Sequence, residues 1–314
     1  MKTVYYNDET EFSGRYAATV GFFDGVHRGH CFLISQLKEQ AGRHGLQSMV
    51  ITFERHPRQV LQPEWHPQFL STFEEKAQLL EATGIDVLVV LRFTQELAAL
   101  SACDFMQQVL RNRLGVHLLL TGYDNRFGNG RKETFSDYQR YGSELGIQVE
   151  CAPSFSDDGQ RFSSSLVRSL LHEGRMEEAA SCLGRPYMLT GTVVHGEQIG
   201  RTLGYPTANL LLSDASRLVP ASGVYAVRVD GLPTGASGYG MMNIGCRPTF
   251  DGHEQTLEVN IFDFNGNLYG RKLTISFLSR LREERHFDSS EALTLQMEAD
   301  AQAVKRIIKA QKRI

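Results

Sequence analysis

The chain has no surplus of positive charge: 33 Lys and Arg stand against 36 Asp and Glu, a net charge of −3. A protein that tracks a nucleic-acid backbone carries a basic excess, so this balance argues against that class of partner and leaves small molecules as the phosphates to be recognised. Cysteine is sparse and odd in number. Cys31, Cys103, Cys151, Cys182 and Cys246 include no close pair, which argues against a disulfide framework and fits reduced thiols in a cytoplasmic protein. Long apolar runs are missing too. The longest, Val87–Leu91, has the length of a strand, so no membrane association is expected. Residues 1–9 lack the apolar stretch and small-residue site of a secretory signal. No internal repeat or low-complexity segment is visible, and nothing in the pattern implies a protein partner.

With 314 residues, 41% hydrophobic and 22% charged, the chain has the composition of a globular protein and the length of two domains, each large enough for its own core. The pattern changes once. Up to about Leu183, short apolar runs at 17–22, 48–53, 86–91, 117–121 and 148–151 alternate with amphipathic stretches that open on capping pairs, Thr72 with Glu75 and Ser101 with Asp104. Such alternation predicts an α/β domain over residues 1–183, with a parallel sheet covered on both faces. After Gly184, β-prone segments at 187–194, 224–229, 241–244, 256–264 and 272–278 follow one another, separated by turn formers such as Asp230-Gly231 and Asn265-Gly266. They predict an antiparallel β-barrel over residues 184–314, ended by a helix from Ser289 whose terminal Lys and Arg residues suit a solvated C-terminal end.

The run Gly21-Phe22-Phe23-Asp24-Gly25-Val26-His27-Arg28-Gly29-His30 joins the first apolar run to the helix-period stretch 31–44. A helix N-terminus exposes unpaired N–H groups and partial positive charge, and glycines allow close approach. A polyphosphate is therefore expected here, beyond the carboxyl end of a parallel strand. His27 and His30 share a face if the helix starts near Val26, and both can donate to charge developing on phosphorus. The same pair also suits metal ligation or packing. Two further segments can complete the pocket. One is 121–128, rich in turn formers; the other is Ser163-Ser164-Ser165-Leu166-Val167-Arg168, whose serines offer hydroxyls at a helix start or serve as caps.

In the second half, Pro206 biases the chain toward extended geometry, so Thr207 and Asn209 point the same way. They form an oxygen-donor pair suited to Mg²⁺, or a polar turn entering a strand. Glu258 alternates with Leu257, Val259 and Ile261 and lies opposite that aliphatic stripe whichever face is core. It reads as a general base inside a barrel mouth or as a solvated strand residue.

The decapeptide resembles the Gly-x-Phe-Asp-x-x-His-x-Gly-His signature of the nucleotidyltransferases. Joined by Thr52-Phe53 to His56-Pro57, residues 122–128 and Ser163 to Arg168, it resembles the adenylyltransferase half of bacterial bifunctional riboflavin kinase/FAD synthetases. Pro206-Thr207-Ala208-Asn209, Gly223-Val224-Tyr225, Asn243-Ile244-Gly245, Leu257-Glu258-Val259 and Leu268-Tyr269-Gly270 resemble the riboflavin kinase module. The resemblance implies a Rossmann-like nucleotidyltransferase domain followed by a riboflavin kinase-like barrel, with ATP as co-substrate, Mg²⁺ at Thr207 and Asn209, and riboflavin, FMN and FAD as substrates and products. It implies that His27 and His30 stabilise the transferring group. Gly21, Phe22, Phe23, Asp24, Gly25, Gly29, Asp124, Ser164, Ser165 and Arg168 would bind the nucleotide of the first site, and Gly200 and Pro206 that of the second. Glu258 would accept the proton of the ribityl 5′-hydroxyl. A nucleotidyltransferase acting on another small phosphate ester would account for the first half and leave the barrel motifs idle.

Overall fold

The computed structural model describes residues 1–7, 12–123, 125–157, 160–196, 204–249 and 252–311. The chain divides into two compact units, Met1–Ser164 and Ser165–Ile314.

In the first unit, β1 (Lys2–Tyr5), β2 (Tyr16–Val20), β3 (Gln47–Phe53), β4 (Val87–Leu91), β5 (Val116–Thr121) and β6 (Gln148–Cys151) form one sheet in the order β1-β4-β3-β2-β5-β6. Every pairing is parallel. β2 and β4 are buried along their whole length, as strands of a sheet covered on both faces must be. One face packs Ala18, Val20, Met49, Ile51 and Val89 with Phe105, Met106 and Leu110, and the other packs Ala17, Val50, Leu88 and Val90 with Ile34, Leu37 and Leu80. The chain runs outward from β2 through β3 to β4 and then crosses back to β5 on the other side. The strand order therefore reverses at β2, and an open sheet binds its ligand at such a point. Both expected caps form: Thr72 and Glu75 make a reciprocal capping box at helix Phe73–Ala82, and Ser101 accepts from the Asp104 amide. A two-stranded ribbon, β7 (Ser156–Asp157) with β8 (Gln160–Arg161), follows β6.

The second unit opens with helices Ser164–His172 and Met176–Leu183. The change of sequence pattern lies after Leu183, and the division into compact units lies between Ser164 and Ser165. The β-segments β9 (Met188–Val194), β10 (Thr207–Leu212), β11 (Gly223–Asp230), β12 (Gly238–Thr249), β13 (Gly252–Ile261) and β14 (Lys272–Arg282) close into a barrel in the order β10-β13-β12-β11-β14-β9. All its pairings are antiparallel. Helix Ser290–Gln311 lays Met297, Val304, Ile307 and Ile308 against Val224, Ala226 and Met241 of β11 and β12. Those three strand residues therefore face outward from the barrel. Their alternates, including Tyr225, Val227, Met242 and Ile244, are buried on the opposite, inner face.

Candidate functional sites

The decapeptide leaves β2 as a tight turn. Phe23 (φ 56°) and Val26 (φ 39°) both adopt left-handed backbone, a conformation that costs a side-chain-bearing residue about 1–3 kcal/mol and persists only where its surroundings enforce it. The enforcement is visible. Asp24, 4% exposed, accepts from the Leu70 amide at 2.9 Å and the Ser71 amide at 3.3 Å, while the Gly25 amide donates to Ser71 Oγ at 3.1 Å. The carboxylate thus faces into the fold and braces the turn. The carboxylate satisfies N–H groups that would otherwise be buried without a partner.

Helix Arg28–Arg43 begins two residues later than the position assumed from spacing, with His27 as its N-cap and Nδ1 accepting from the His30 amide at 3.3 Å. The two imidazoles nevertheless meet, because the capping ring folds back over the first turn. They stack with centroids 3.6 Å apart and 20° between planes, and Phe23 meets His30 edge-on at 5.1 Å. A Cβ at Gly29 would lie 3.1 Å from the His27 ring, so this glycine makes room for an imidazole, and Gly25 (φ 73°) supplies the reversal. His30 Nδ1 is sequestered and without a hydrogen-bond partner. Burial first, then the His27 ring and the Lys76 ammonium, hold the His30 pKa well below the imidazole range. Ser164 Oγ donates to the Asp24 carbonyl at 2.9 Å, so the third segment does reach the turn. Ser165 and Arg168 follow on helix Ser164–His172, within the second compact unit. Asp124 lies outside the described residues.

Lys76 was not singled out from the sequence. It is 3% exposed, and its Nζ donates to the Phe22 carbonyl (3.1 Å), Thr52 Oγ1 (3.2 Å) and the Phe53 carbonyl (3.2 Å). The same ammonium stands 4.1 Å from the Phe22 ring centroid. Burial pulls its pKa from 10.5 to about 8 against the opposing pull of Asp24, a penalty on the charged form of about 3 kcal/mol. One signal was available: Lys76 falls on the helical stripe formed by Phe73, Ala77 and Leu80, where a lysine is out of place.

Beside the turn lies a cavity of about 380 Å³, lined by Gly21, Phe22, Phe53, His56, Leu97, Phe105, Asn125 and Phe127. Its walls are braced by contacts. His56 caps and braces helix Pro57–Leu61 and meets the rings of Phe22 at 4.6 Å and Trp65 at 4.8 Å. Phe127 stacks on buried Tyr138 at 4.5 Å, and the Tyr138 hydroxyl donates to the Phe127 carbonyl at 3.1 Å. The Asn125 amide donates to the Val20 carbonyl at the end of β2. These wall residues come from distant segments, so spacing in the sequence could not assemble them.

In the barrel, pairing across β10, β13 and β12 decides which side chains share a face. Thr207 lies opposite Asn260 and Asn209 opposite Glu258. Asn243 in turn lies opposite Glu258, and Met241 opposite Asn260. Directly opposed residues project to the same side. Since Met241 faces the C-terminal helix, so do Thr207, Asn209, Asn243, Glu258 and Asn260. Leu257, Val259 and Ile261 point the other way, into the barrel. Glu258 therefore stands on the outer surface of the cylinder, and the expectation of a base inside its mouth is corrected: aliphatic side chains already fill the interior. Thr207 Oγ1 donates to Glu258 Oε2 at 3.3 Å.

Two cavities adjoin this polar face. One of about 600 Å³ is bordered by Asn243, Glu258, Asn260, Arg282, Phe287 and Met297; the other, of about 810 Å³, by Tyr205, Pro206, Asn260, Phe262, Phe264 and Lys305. Asn260 borders both, and its Nδ2 donates to the Pro206 carbonyl at 2.8 Å. The helix is fastened over the first cavity by Asp300, 4% exposed, which accepts from Arg282 Nε at 3.0 Å and from Gln296 at 2.8 Å. Gly200 lies outside the described residues.

The family model described as FAD synthetase matches residues 9–166, and that described as riboflavin kinase matches residues 183–308. A bifunctional riboflavin kinase/FMN adenylyltransferase of Pseudomonas fluorescens is 42% identical over 291 residues, covering 92% of each chain. The chain belongs to the bifunctional riboflavin kinase/FMN adenylyltransferase family. Another of its relatives, from Bacillus subtilis, is 36% identical over 315 residues, with 96% of each chain covered. Among solved structures, one titled a macrolide-efflux protein from Streptococcus pneumoniae superposes with a TM-score of 0.89 at 32% identity, covering 97% of this chain and 99% of that one. No described helix of the present chain is long and apolar enough to cross a membrane.

Proposed function

We propose that the two halves perform consecutive steps of flavin cofactor synthesis. The barrel phosphorylates riboflavin to FMN, and the α/β half adenylylates FMN to FAD with release of pyrophosphate, ATP serving both. The observation that carries this reading is shared by the two halves: each sets a phosphate-handling cluster beside an apolar cavity of ligand size. The volumes, about 380 and 600 Å³, fall within the roughly 300–1,000 Å³ typical of small-molecule sites.

In the barrel, the ribityl chain of riboflavin enters the cavity bordered by Asn243 and Glu258, and ATP lies on the Pro206 side. Glu258 accepts the proton of the 5′-hydroxyl as it attacks the γ-phosphorus. Among the described residues there is no cluster of three or more His, Cys, Asp or Glu that could cage a metal. A hydroxyl and an amide oxygen on one face beside a carboxylate fit Mg²⁺, which takes few protein ligands and completes its shell with phosphate and water. Thr207 and Asn209 would hold it, and when bound it supplies charge neutralisation to the phosphates.

In the α/β half, the flavin ring lies in the cavity walled by Phe22, His56, Phe105 and Phe127, and the FMN phosphate attacks the α-phosphorus of ATP at the turn. That nucleophile is already an anion, so the site needs donors and orientation more than a base. His27, His30 and the helix N-terminus supply the donors, and Ser164 stands beside the turn; the triphosphate contacts of Ser165 and Arg168 rest on the family pattern. The nucleotide contacts of Asp124, Gly200 and Pro206 rest on the family pattern.

Chromatography of flavins from the purified chain with riboflavin, ATP and Mg²⁺ tests the reading. FMN should accumulate first and FAD follow, with pyrophosphate released in step with FAD. Pyrophosphate release with phosphopantetheine or choline phosphate but none with FMN would overturn it.

A further inference from the structure

We propose that Lys76 is a positioning residue for adenylyl transfer: its ammonium fastens the Phe22–Gly25 turn to the end of β3 and holds the Phe22 ring in place as a wall of the flavin cavity. The inference rests on the reading of the α/β half as the adenylylating half, and it concerns a side chain on a helix that the nucleotide and flavin clusters do not include.

The geometry is specific. An ammonium has three N–H donors, and three oxygens surround Nζ: the Phe22 carbonyl at 3.1 Å, Thr52 Oγ1 at 3.2 Å and the Phe53 carbonyl at 3.2 Å. Thr52 Oγ1 itself donates to the Phe22 carbonyl at 3.1 Å. The ends of β2 and β3 are thus joined through one cation at the point where their ladder stops. Phe22 precedes the left-handed Phe23, so fixing its carbonyl fixes where the turn begins. The cation also stands over the Phe22 ring at 4.1 Å and the Phe73 ring at 5.3 Å, which orients the ring without filling the cavity. A methionine of similar length would satisfy helix packing at a residue 3% exposed. A charged group kept in such a place, at a cost in desolvation, points to use.

The charged group facing Lys76 is Asp24 on the turn, which favours the ammonium; the ammonium in turn disfavours a charge on His30 of the following helix. On its own helix, Glu75 is engaged with the Thr72 amide at 3.0 Å. Above a pH of about 8 the ammonium loses a proton, and one of the three oxygens loses its donor. FMN adenylylation should then decline on the alkaline side.

Steady-state kinetics of both reactions on Lys76→Met and Lys76→Arg, from pH 6.5 to 9.5, test this. Lys76→Met should lower kcat for FMN adenylylation by about thirtyfold or more while KM for ATP moves less than kcat; the Trp65 emission of the same preparation reports whether the α/β half is intact. Lys76→Arg keeps a charge that does not titrate in this range, so it should retain activity at pH 7 and lose the alkaline decline of the wild type. A Lys76→Met enzyme with wild-type kcat, or the same alkaline decline in Lys76→Arg as in the wild type, overturns the proposal. Absence of FAD formation by the wild type would instead overturn the reading on which it rests.

Discussion

The two phosphate-handling clusters are built from opposite materials. At the end of β2 the side chains gathered are imidazoles, backed by a helix N-terminus and a buried ammonium, and the one carboxylate in the turn is spent on the Leu70 and Ser71 amides. On the outer face of the barrel a carboxylate, Glu258, stands among a threonine and three asparagines and accepts from Thr207 Oγ1. The difference follows the nucleophile proposed for each. An anionic phosphate needs a place where its charge is tolerated, whereas a sugar hydroxyl needs a group to take its proton.

The comparison can be broken most sharply by Glu258→Gln. It should reduce riboflavin phosphorylation by about a thousandfold, within the range of a lost general base, and leave FMN adenylylation intact in an assay that starts from FMN. His30→Ala should do the reverse, lowering FAD formation by about a hundredfold, as for loss of one oriented donor, with phosphorylation retained. Matched losses of both activities in either variant would mean that the clusters are not independent. Thr207→Val should raise the Mg²⁺ concentration needed for half-maximal phosphorylation by about tenfold, read from a Mg²⁺ titration at saturating ATP. The smallest effect concerns stability. His30 in the folded chain has a pKa below the 6.5 of the unfolded chain, so the unfolded state binds more protons as the pH drops below 6.5, and stability falls with it. Thermal unfolding at pH 7.5 and 5.5 should show a smaller acid loss in His30→Gln than in the wild type.

Much of this arrangement was legible in the chain and some was not, for reasons that can be named. The parallel strands announced themselves because burial on both faces demands continuous apolar runs such as Val87–Leu91. β1 carried no such signal: Lys2, Thr3 and Tyr5 are exposed on an edge strand. For Glu258, the two-residue period told which neighbours it opposes but not which side was interior, since both faces of β13 are covered, one by the barrel core and one near the helix. The two histidines were placed by their spacing, yet the way they meet depended on a cap rather than on a helical face. Asp24 looked like a ligand because it sits in the motif, and only the loop at Leu70 and Ser71, far along the chain, shows what it holds.

The chain has a single tryptophan, and it packs on His56, a wall of the first cavity. An indole so close to the proposed isoalloxazine seat is a built-in lamp: a flavin arriving there quenches its emission, which red-edge excitation separates from that of the eleven tyrosines. Occupancy of this cavity can thus be followed in a fluorimeter without any label.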